Sequence, residues 1–292
     1  MSGRPPGPIA LFRASLKSDA LYADELVNIV LFRPLAGIVV WLCYWTPITP
    51  NQVTVAAIVA GFAAAWTYLG GTPGDVALAG LLVTLKDVLD DADGQLARAK
   101  KMYSRRGRFM DSIGDFAVDA ALFAAVTVVV HRQAPGWGTI LLGLAGFLGI
   151  TLRVSYHVFY QASFLHREER YGLNRIVEVI TDEDRAGDPV ALRLQQVFGV
   201  LYNWQDRLMV RLDRWCCGRE VSKEAWGIWV GDRVGLRLSG LLGFGTELLV
   251  LTLCSLADAL PLYLLLNVLL MNGVWAVSIL YRKFLLSRRL PA

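Results

Sequence analysis

The sequence predicts an all-α integral membrane protein: six transmembrane helices, an N-terminal interfacial amphipathic helix and a cytoplasmic helical insert. Three observations carry that expectation. The 292 residues are 55% hydrophobic and only 18% charged, with mean hydropathy +0.45, whereas a water-soluble chain usually carries about 25% charged residues. The apolar residues gather in stretches close to the roughly 20 helical residues that cross about 30 Å of hydrocarbon. Basic residues collect in alternate connections between those stretches, as the positive-inside rule requires.

The spans are expected near 50–70, 76–97, 108–130, 137–161, 237–257 and 260–281. The turns Gly70-Gly71-Thr72-Pro73-Gly74, Gln133-Ala134-Pro135-Gly136 and Ala257-Asp258 separate successive pairs. Arg98, Lys100, Lys101, Arg105, Arg106 and Arg108 follow the second span. Arg282, Lys283, Arg288 and Arg289 follow the last, and Arg4, Arg13, Lys17 and Arg33 precede the first. The opposite loops carry only Arg132. Both termini and the 98–108 loop are therefore expected in the cytoplasm, and an even number of spans agrees.

Residues 20–46 are apolar but interrupted at Arg33-Pro34, with Trp41, Tyr44 and Trp45 toward the end. They read as a helix lying along the cytoplasmic face. Residues 162–236 are mixed and charged, with helical periodicity around Leu192–Leu212, and read as a cytoplasmic insert between the fourth and fifth spans. The whole chain is expected to be one membrane domain. Cys43, Cys216, Cys217 and Cys254 form no C-x-x-C pair, so neither a zinc site nor a disulfide framework is expected. No secretory signal is expected at the N-terminus. Net charge is +4, and no nucleic-acid partner is expected.

The chemistry is carried by aspartates. Asp87, Asp90, Asp91 and Asp93 end the second span, and Asp111, Asp115 and Asp119 begin the third. Each such carboxylate costs roughly 2.5–3.5 kcal/mol on insertion scales. One at a helix end simply reaches water, but seven on two adjacent antiparallel helices call for another account. Asp111 and Asp115 are i, i+4 and share a face, as do Asp90 and Asp93 at i, i+3. Four converging carboxylates repel unless cations lie between them, and hard oxygen donors suit Mg²⁺ or Mn²⁺. Two such ions can hold a diphosphate. Gly94 and Ala97 are small enough for a phosphate to approach the backbone, and Arg98 beside them can neutralise its oxygens.

Residues 90–115 read Asp90-x2-Asp93-Gly94-x2-Ala97-Arg98-x8-Gly107-x3-Asp111-x3-Asp115. This resembles the signature of the class I CDP-alcohol phosphotransferase (CDP-alcohol phosphatidyltransferase) family at every defined position. Asn51-Gln52-Val53-Thr54, opening the first span, is similar to the family's nucleotide-side segment. The resemblance implies that Asp90, Asp93, Asp111 and Asp115 hold two divalent metals, and that Asp115 is also the general base for the acceptor hydroxyl. It implies that Gly94, Ala97, Arg98, Gly107 and Asn51–Thr54 bind the CDP portion, with Ser104 a further candidate. Arg153, in the fourth span, reads either as snorkelling to the headgroups or as a contact to a substrate phosphate. The implied reaction moves a phosphatidyl group from a CDP-linked donor, expected to be CDP-diacylglycerol, to a small alcohol with release of CMP. The reverse arrangement, a CDP-choline or CDP-ethanolamine donor with a lipid alcohol, stays open. Phe116 follows Asp115 where glycerophosphate-using relatives commonly have Lys and inositol-phosphate-using ones Arg. The family is often dimeric, so a homodimer among membrane lipids is expected, in the inner membrane if the source is bacterial.

Other residues have plainer readings. Asp87, Asp91 and Asp119 lie outside the signature and read as supporting groups, with Lys86 pairing one of them. His157 and His166 lack ligand partners at metal spacing. Gly143, Gly146 and Gly149 read as close helix packing. A UbiA-like prenyltransferase would also use aspartates and Mg²⁺, but the Gly94/Ala97/Arg98/Gly107 spacing is not its pattern. A metal-ion transporter or a non-catalytic scaffold would place its carboxylates near the bilayer midplane, whereas here they crowd one end of two helices.

Overall fold

The computed structural model describes residues 23–167, 178–217, 227–228 and 230–289. Among these the chain is helical, without strands. Residues 20–22 of the expected interfacial stretch, parts of the 162–236 insert, and Trp229 lie outside the described residues. Helix α1 covers Asn28–Tyr44, α2 Pro50–Tyr68, α3 Pro73–Lys100 and α4 Arg105–Gln133. Next come α5 Trp137–Arg167, α6 Asp182–Ala186 and α7 Pro189–Cys217. The chain ends with α8 Arg233–Gly240, α9 Phe244–Leu256 and α10 Leu260–Arg288. Among the described residues, four helical stretches are long and apolar enough to cross a membrane: Arg105–Gln133, Trp137–Leu165, Arg233–Leu256 and Leu260–Arg288. They match the expected third to sixth spans. The first two expected spans form α2 and α3, whose apolar runs are diluted by Asn51, Gln52 and Thr54 in one and by the aspartates in the other.

Local chemistry sets the helix ends. Thr49 caps α2 and Thr72 caps α3, each in a reciprocal capping box with Gln52 or Asp75, and each followed by a proline that needs no N–H there. Ser104 caps α4, its hydroxyl accepting from the Gly107 N–H at 2.9 Å. α3 stops at Lys101, which adopts a left-handed conformation (φ 56°), while Met102 N–H closes on Ala97 O at 2.9 Å. α1 runs through Arg33-Pro34 as one helix, with a π-helical turn at Asn28–Phe32 just before that pair. The wider turn accommodates a ring that has no N–H and crowds the preceding carbonyl.

α2 is the hub. It packs against both α3 and α4, α1 lies across α3, α9 runs along the other side of α3, and α5 packs along α4. The approach to α4 is close: a Cβ on Gly61 would lie 2.4 Å from Val118, and one on Gly114 would lie 2.2 Å from Ile58. α3 and α4 scarcely meet backbone to backbone. They splay from α2 and leave a cleft between them. Below that cleft a core of Ala64, Tyr68, Val83, Val118, Val126 and Leu251 closes the bundle. The glycines of α5 serve packing within the chain, since Gly143 faces Thr127 and Gly146 faces Phe123.

The insert is tied down at the cleft mouth. Arg105 pairs with Glu178 at 2.9 Å and with Asp184, and Arg108 with Glu178 at 3.2 Å. Arg106 grips Asp188 in a fork. The Thr181 N–H, the Gln195 amide and Arg105 hold the Asp184 carboxyl below the usual carboxylate range. Three of the basic residues that follow α3, Arg105, Arg106 and Arg108, are therefore paired with acids of the insert. α7 then packs across α4, α5 and α10.

Two glycines test this packing in opposite directions. Gly61→Ala forces a methyl against the stiff, branched Val118 and is expected to destabilise the protein by about 1–3 kcal/mol. Gly138→Ala, with nothing within 4 Å of the new methyl, is expected to be neutral or stabilising by up to about 1 kcal/mol. Thermal melting of the detergent-solubilised chain reads both; equal shifts would contradict the tight α2–α4 contact.

Candidate metal centre and its surroundings

The cleft between α3 and α4 holds the carboxylates. Asp90, Asp93 and Asp111 each present an oxygen, and these lie within 4.8 Å of one another. Asp93 is fixed from behind by the Thr54 hydroxyl of α2, which also donates to Pro50 O at 3.2 Å. The segment that opens α2 thus orients a carboxylate of α3.

Asp115 is turned to a different partner. Its Oδ1 lies 2.6 Å from the Lys86 ammonium, one turn before Asp90 on α3. Lys86 also stands 3.5 Å from Asp90 and 3.8 Å from Asp87, and it is buried. Sequence reading gave it a minor pairing role, yet it is the internal cation of the site. Its position four residues before Asp90, inside an apolar run, is the signal that could have marked it. The Phe244 ring closes this side, with the ammonium over it 5.8 Å from the ring centroid. Asp119 is buried one turn beyond Asp115.

The remaining expected site residues fall into two groups. Asn51, Ser104 and Gly107 meet at the mouth: Ser104 donates toward Asn51 Oδ1 at 3.5 Å, and a Cβ on Gly107 would lie 2.4 Å from that oxygen. Gly107 is required by this close approach. Arg98 is partly buried and reaches back over Gly94, where an added Cβ would lie 3.4 Å from its guanidinium. Ala97 is partly buried beside it. Gln52 is committed to the cap of α2, accepting from Thr49 N–H at 2.8 Å. Val53 is buried with Ala36, Val40, Ala92 and Leu96. These two therefore shape the segment through packing and capping.

Arg153 does not snorkel to the headgroups. It is fully buried, bound to Glu247 at 2.9 Å, to Asn272 Oδ1 at 2.6 Å and to Asn267 O at 3.2 Å. An arginine this deep needs a carboxylate to offset its desolvation, and Glu247 of α9 provides it.

The insert supplies a wall that sequence reading did not foresee. Tyr202 of α7 donates to Ser112 O at 2.7 Å, and its ring lies 6.0 Å from Phe116, which also meets Phe147 at 5.5 Å. Burial first, and then the nearby Asp115, Asp119 and Asp111, push the Tyr202 hydroxyl far above its ordinary value, so it stays a donor. Its signal was a tyrosine on the inward face of the Leu192–Leu212 periodicity. A groove of ≈ 440 Å³ lined by Glu178, Gln195, Gln196, Asn203 and Arg207 contains none of the aspartates. It is a seam within the insert, not the reaction centre.

The donor set fits a hard divalent cation: all-oxygen, acidic, and close enough for one ion to bridge three carboxylates. Lys86→Met removes the cation that touches Asp90 and Asp115. Uncompensated buried charge of this kind costs about 3–5 kcal/mol. The variant is expected to melt well below the parent in chelator and to recover a larger share of that loss on adding Mn²⁺ than the parent gains. Equal losses with and without Mn²⁺ would show that Lys86 does not balance these carboxylates.

Comparison with known proteins points the same way. Residues 47–181 match the CDP-alcohol phosphatidyltransferase family. The bifunctional IPC transferase and DIPP synthase of Thermococcus kodakarensis is 37% identical over 109 residues, which is 37% of this chain and 23% of that protein. The protein of the same name from Archaeoglobus fulgidus is 33% identical over 127 residues, 43% of this chain and 24% of that protein. That from Aquifex aeolicus is 33% identical over 109 residues, 37% and 23% respectively. The chain thus spans about a quarter of the length of these curated relatives. The matched stretch contains α2, α3, α4 and every aspartate of the cleft, and residues 47–181 are a CDP-alcohol phosphatidyltransferase domain.

Proposed function

We propose that the protein is a metal-dependent transferase that moves a phosphatidyl group from CDP-diacylglycerol to the hydroxyl of a small alcohol and releases CMP. The observation that carries this reading is the cleft itself: three carboxylates within 4.8 Å, with Asp115 beside them, inside the matched domain. The relatives' names, each a transferase and synthase, support transfer of a phosphate-linked group. CDP-diacylglycerol is favoured as donor because the cleft opens at one end of apolar helices, where acyl chains can lie alongside in lipid.

Asp90, Asp93, Asp111 and Asp115 would hold two divalent ions, Mg²⁺ or Mn²⁺. When bound, they would neutralise the diphosphate and the developing charge on the leaving CMP. The chain's own residues do the rest. Asn51, Ser104, Gly107 and Arg98 at the mouth bind and orient the CDP portion. Asp115 accepts the proton of the acceptor hydroxyl through its oxygen not engaged by Lys86, and Lys86 holds that carboxylate in position. The acceptor oxygen attacks the phosphorus distal to cytidine, and the bond from that phosphorus to the CMP oxygen breaks. Catalysis is then mostly positioning and charge neutralisation.

The topology completes the proposal. α2 and α3 act as the first two spans: 19 and 28 residues give about 28 and 42 Å at 1.5 Å per residue. Six spans put both termini and the cleft on one side, taken as cytoplasmic from the basic residues, in one membrane domain. A homodimer remains the expected assembly, through a surface other than the Gly143–Gly146 face already filled within the chain.

The test is CMP release by the purified protein given CDP-diacylglycerol, Mg²⁺ or Mn²⁺, and a panel including inositol, inositol phosphate, glycerol phosphate and serine. Metal-dependent CMP formation with one acceptor is expected, and Asp115→Asn is expected to lower it by at least about 10²-fold while the fold survives. Near-normal turnover by Asp115→Asn would remove it as the base. CMP formation only from CDP-choline and diacylglycerol would reverse the donor assignment.

A further inference from the structure

The outward half of α7 is largely exposed, although Trp215 meets Lys283 and Arg207 lines the seam shared with Glu178. Most of its residues sort by angle into an apolar and a basic flank, with Val200 lying among the arginines. At about 100° per residue, Phe198, Tyr202, Gln205, Met209, Asp213 and Cys216 form the inward arc. Their contacts run across three helices: Phe198 meets Phe109 of α4 and Gln205 meets Ser155 of α5. Tyr160 of α5 donates to Asp213, and on the outward side Trp215 lies under Lys283 of α10. α7 therefore crosses the bundle near a single depth, at the end that carries the aspartates.

The outward half separates into two flanks. Val190, Val197, Trp204, Leu208 and Trp215 are exposed and fall within about 40° of arc. Arg193, Arg207, Arg211 and Arg214 are also exposed and fall within about 60° beside them. None of these four arginines has an ion-pair partner among the described residues. The direction of each flank follows from Gln195. Its amide donates to Glu178 at 3.0 Å and to Asp184 at 3.1 Å, both held by Arg105 at the first turn of α4. That edge of α7, at the same angle as Asp213, is held within the protein. The apolar flank lies across the helix from it and is exposed, as are Val158 of α5 and Phe284 of α10 on the membrane-crossing helices.

We propose that α7 is a membrane-surface helix that lies in the interface around the cleft mouth. Its Val190–Trp215 flank sits among acyl chains and its arginine flank binds the phosphates of anionic phospholipid. Two exposed tryptophans on the apolar edge suit that boundary, since an indole places an apolar body in lipid and an N–H toward the headgroups. Arginine suits the other edge because its fork binds phosphate oxygens in pairs. The insert is then a collar on the bilayer. Tyr202 on its inner side and the lipid-facing tryptophans on its outer side share one rigid helix, so the wall of the cleft is positioned by the membrane surface. The proposal rests on the bundle crossing the membrane and is independent of the reaction assigned to the cleft.

The test uses the full chain in nanodiscs holding one copy, with and without anionic lipid, and compares the parent with Trp204→Phe and Trp215→Phe. The difference spectra isolate the two indoles. Lipid brominated high in the acyl chain is expected to quench that emission, soluble acrylamide to quench it weakly, and anionic lipid to strengthen the bromolipid effect. Strong acrylamide quenching without bromolipid quenching would place the flank in water. Protection from both would place it against protein. Either result overturns the proposal.

Discussion

Electrostatic repulsion among buried carboxylates is the constraint on which the rest of the structure depends. Asp87, Asp90, Asp93, Asp111, Asp115 and Asp119 come from two helices that could relieve the repulsion by moving apart, and the architecture prevents it. α2 packs tightly on both helices, so their separation is set by glycine-mediated contact and not by the charges. The chain answers with one internal ammonium, Lys86, which takes Asp115 and shares Asp90. Among the described residues Asp93 and Asp111 make no ion pair, and Asp90 has only its share of Lys86. On the proposed function, a divalent metal would supply the positive charge that the fold does not.

The same logic explains why so much local structure serves the cleft mouth. Ser104 caps α4 at the point where Gly107 must pass Asn51. Lys100 holds the strap before α2 by donating to Thr46 O and Ile48 O at 2.9 and 2.7 Å, and Thr54 then reaches Asp93. Each link is modest, on the order of 1 kcal/mol. Their value lies in fixing relative positions of α2, α3 and α4 to the tolerance that phosphate chemistry demands.

Much of this was legible in the chain and some was not. The signature aspartates, the small residues between them and the turns at Gly70–Gly74 and Ala257-Asp258 could be read because each depends on local spacing. Four of the expected spans coincide with apolar helices for the same reason. The splay of α3 from α4 could not be read, since it is set by what α2 packs against. The burial of Arg153 was missed because its partner Glu247 lies 94 residues away. Lys86 was undervalued because a lysine in an apolar run signals burial without naming its partners. The course of α1 through Pro34 depended on a π-turn that no periodicity announces. The insert was readable as amphipathic, but its docking on α4 through Tyr202 is a tertiary fact.

Metal binding by the cleft is the central claim, and the most direct measurement is Mn²⁺ titration of the purified full chain followed by electron paramagnetic resonance. The parent, Asp93→Asn, Asp111→Asn and the distant Asp75→Asn would be compared. The account predicts bound Mn²⁺ in the parent and in Asp75→Asn, with binding weakened by at least about 10-fold in the two cleft variants. Unchanged Mn²⁺ binding in both cleft variants would contradict it.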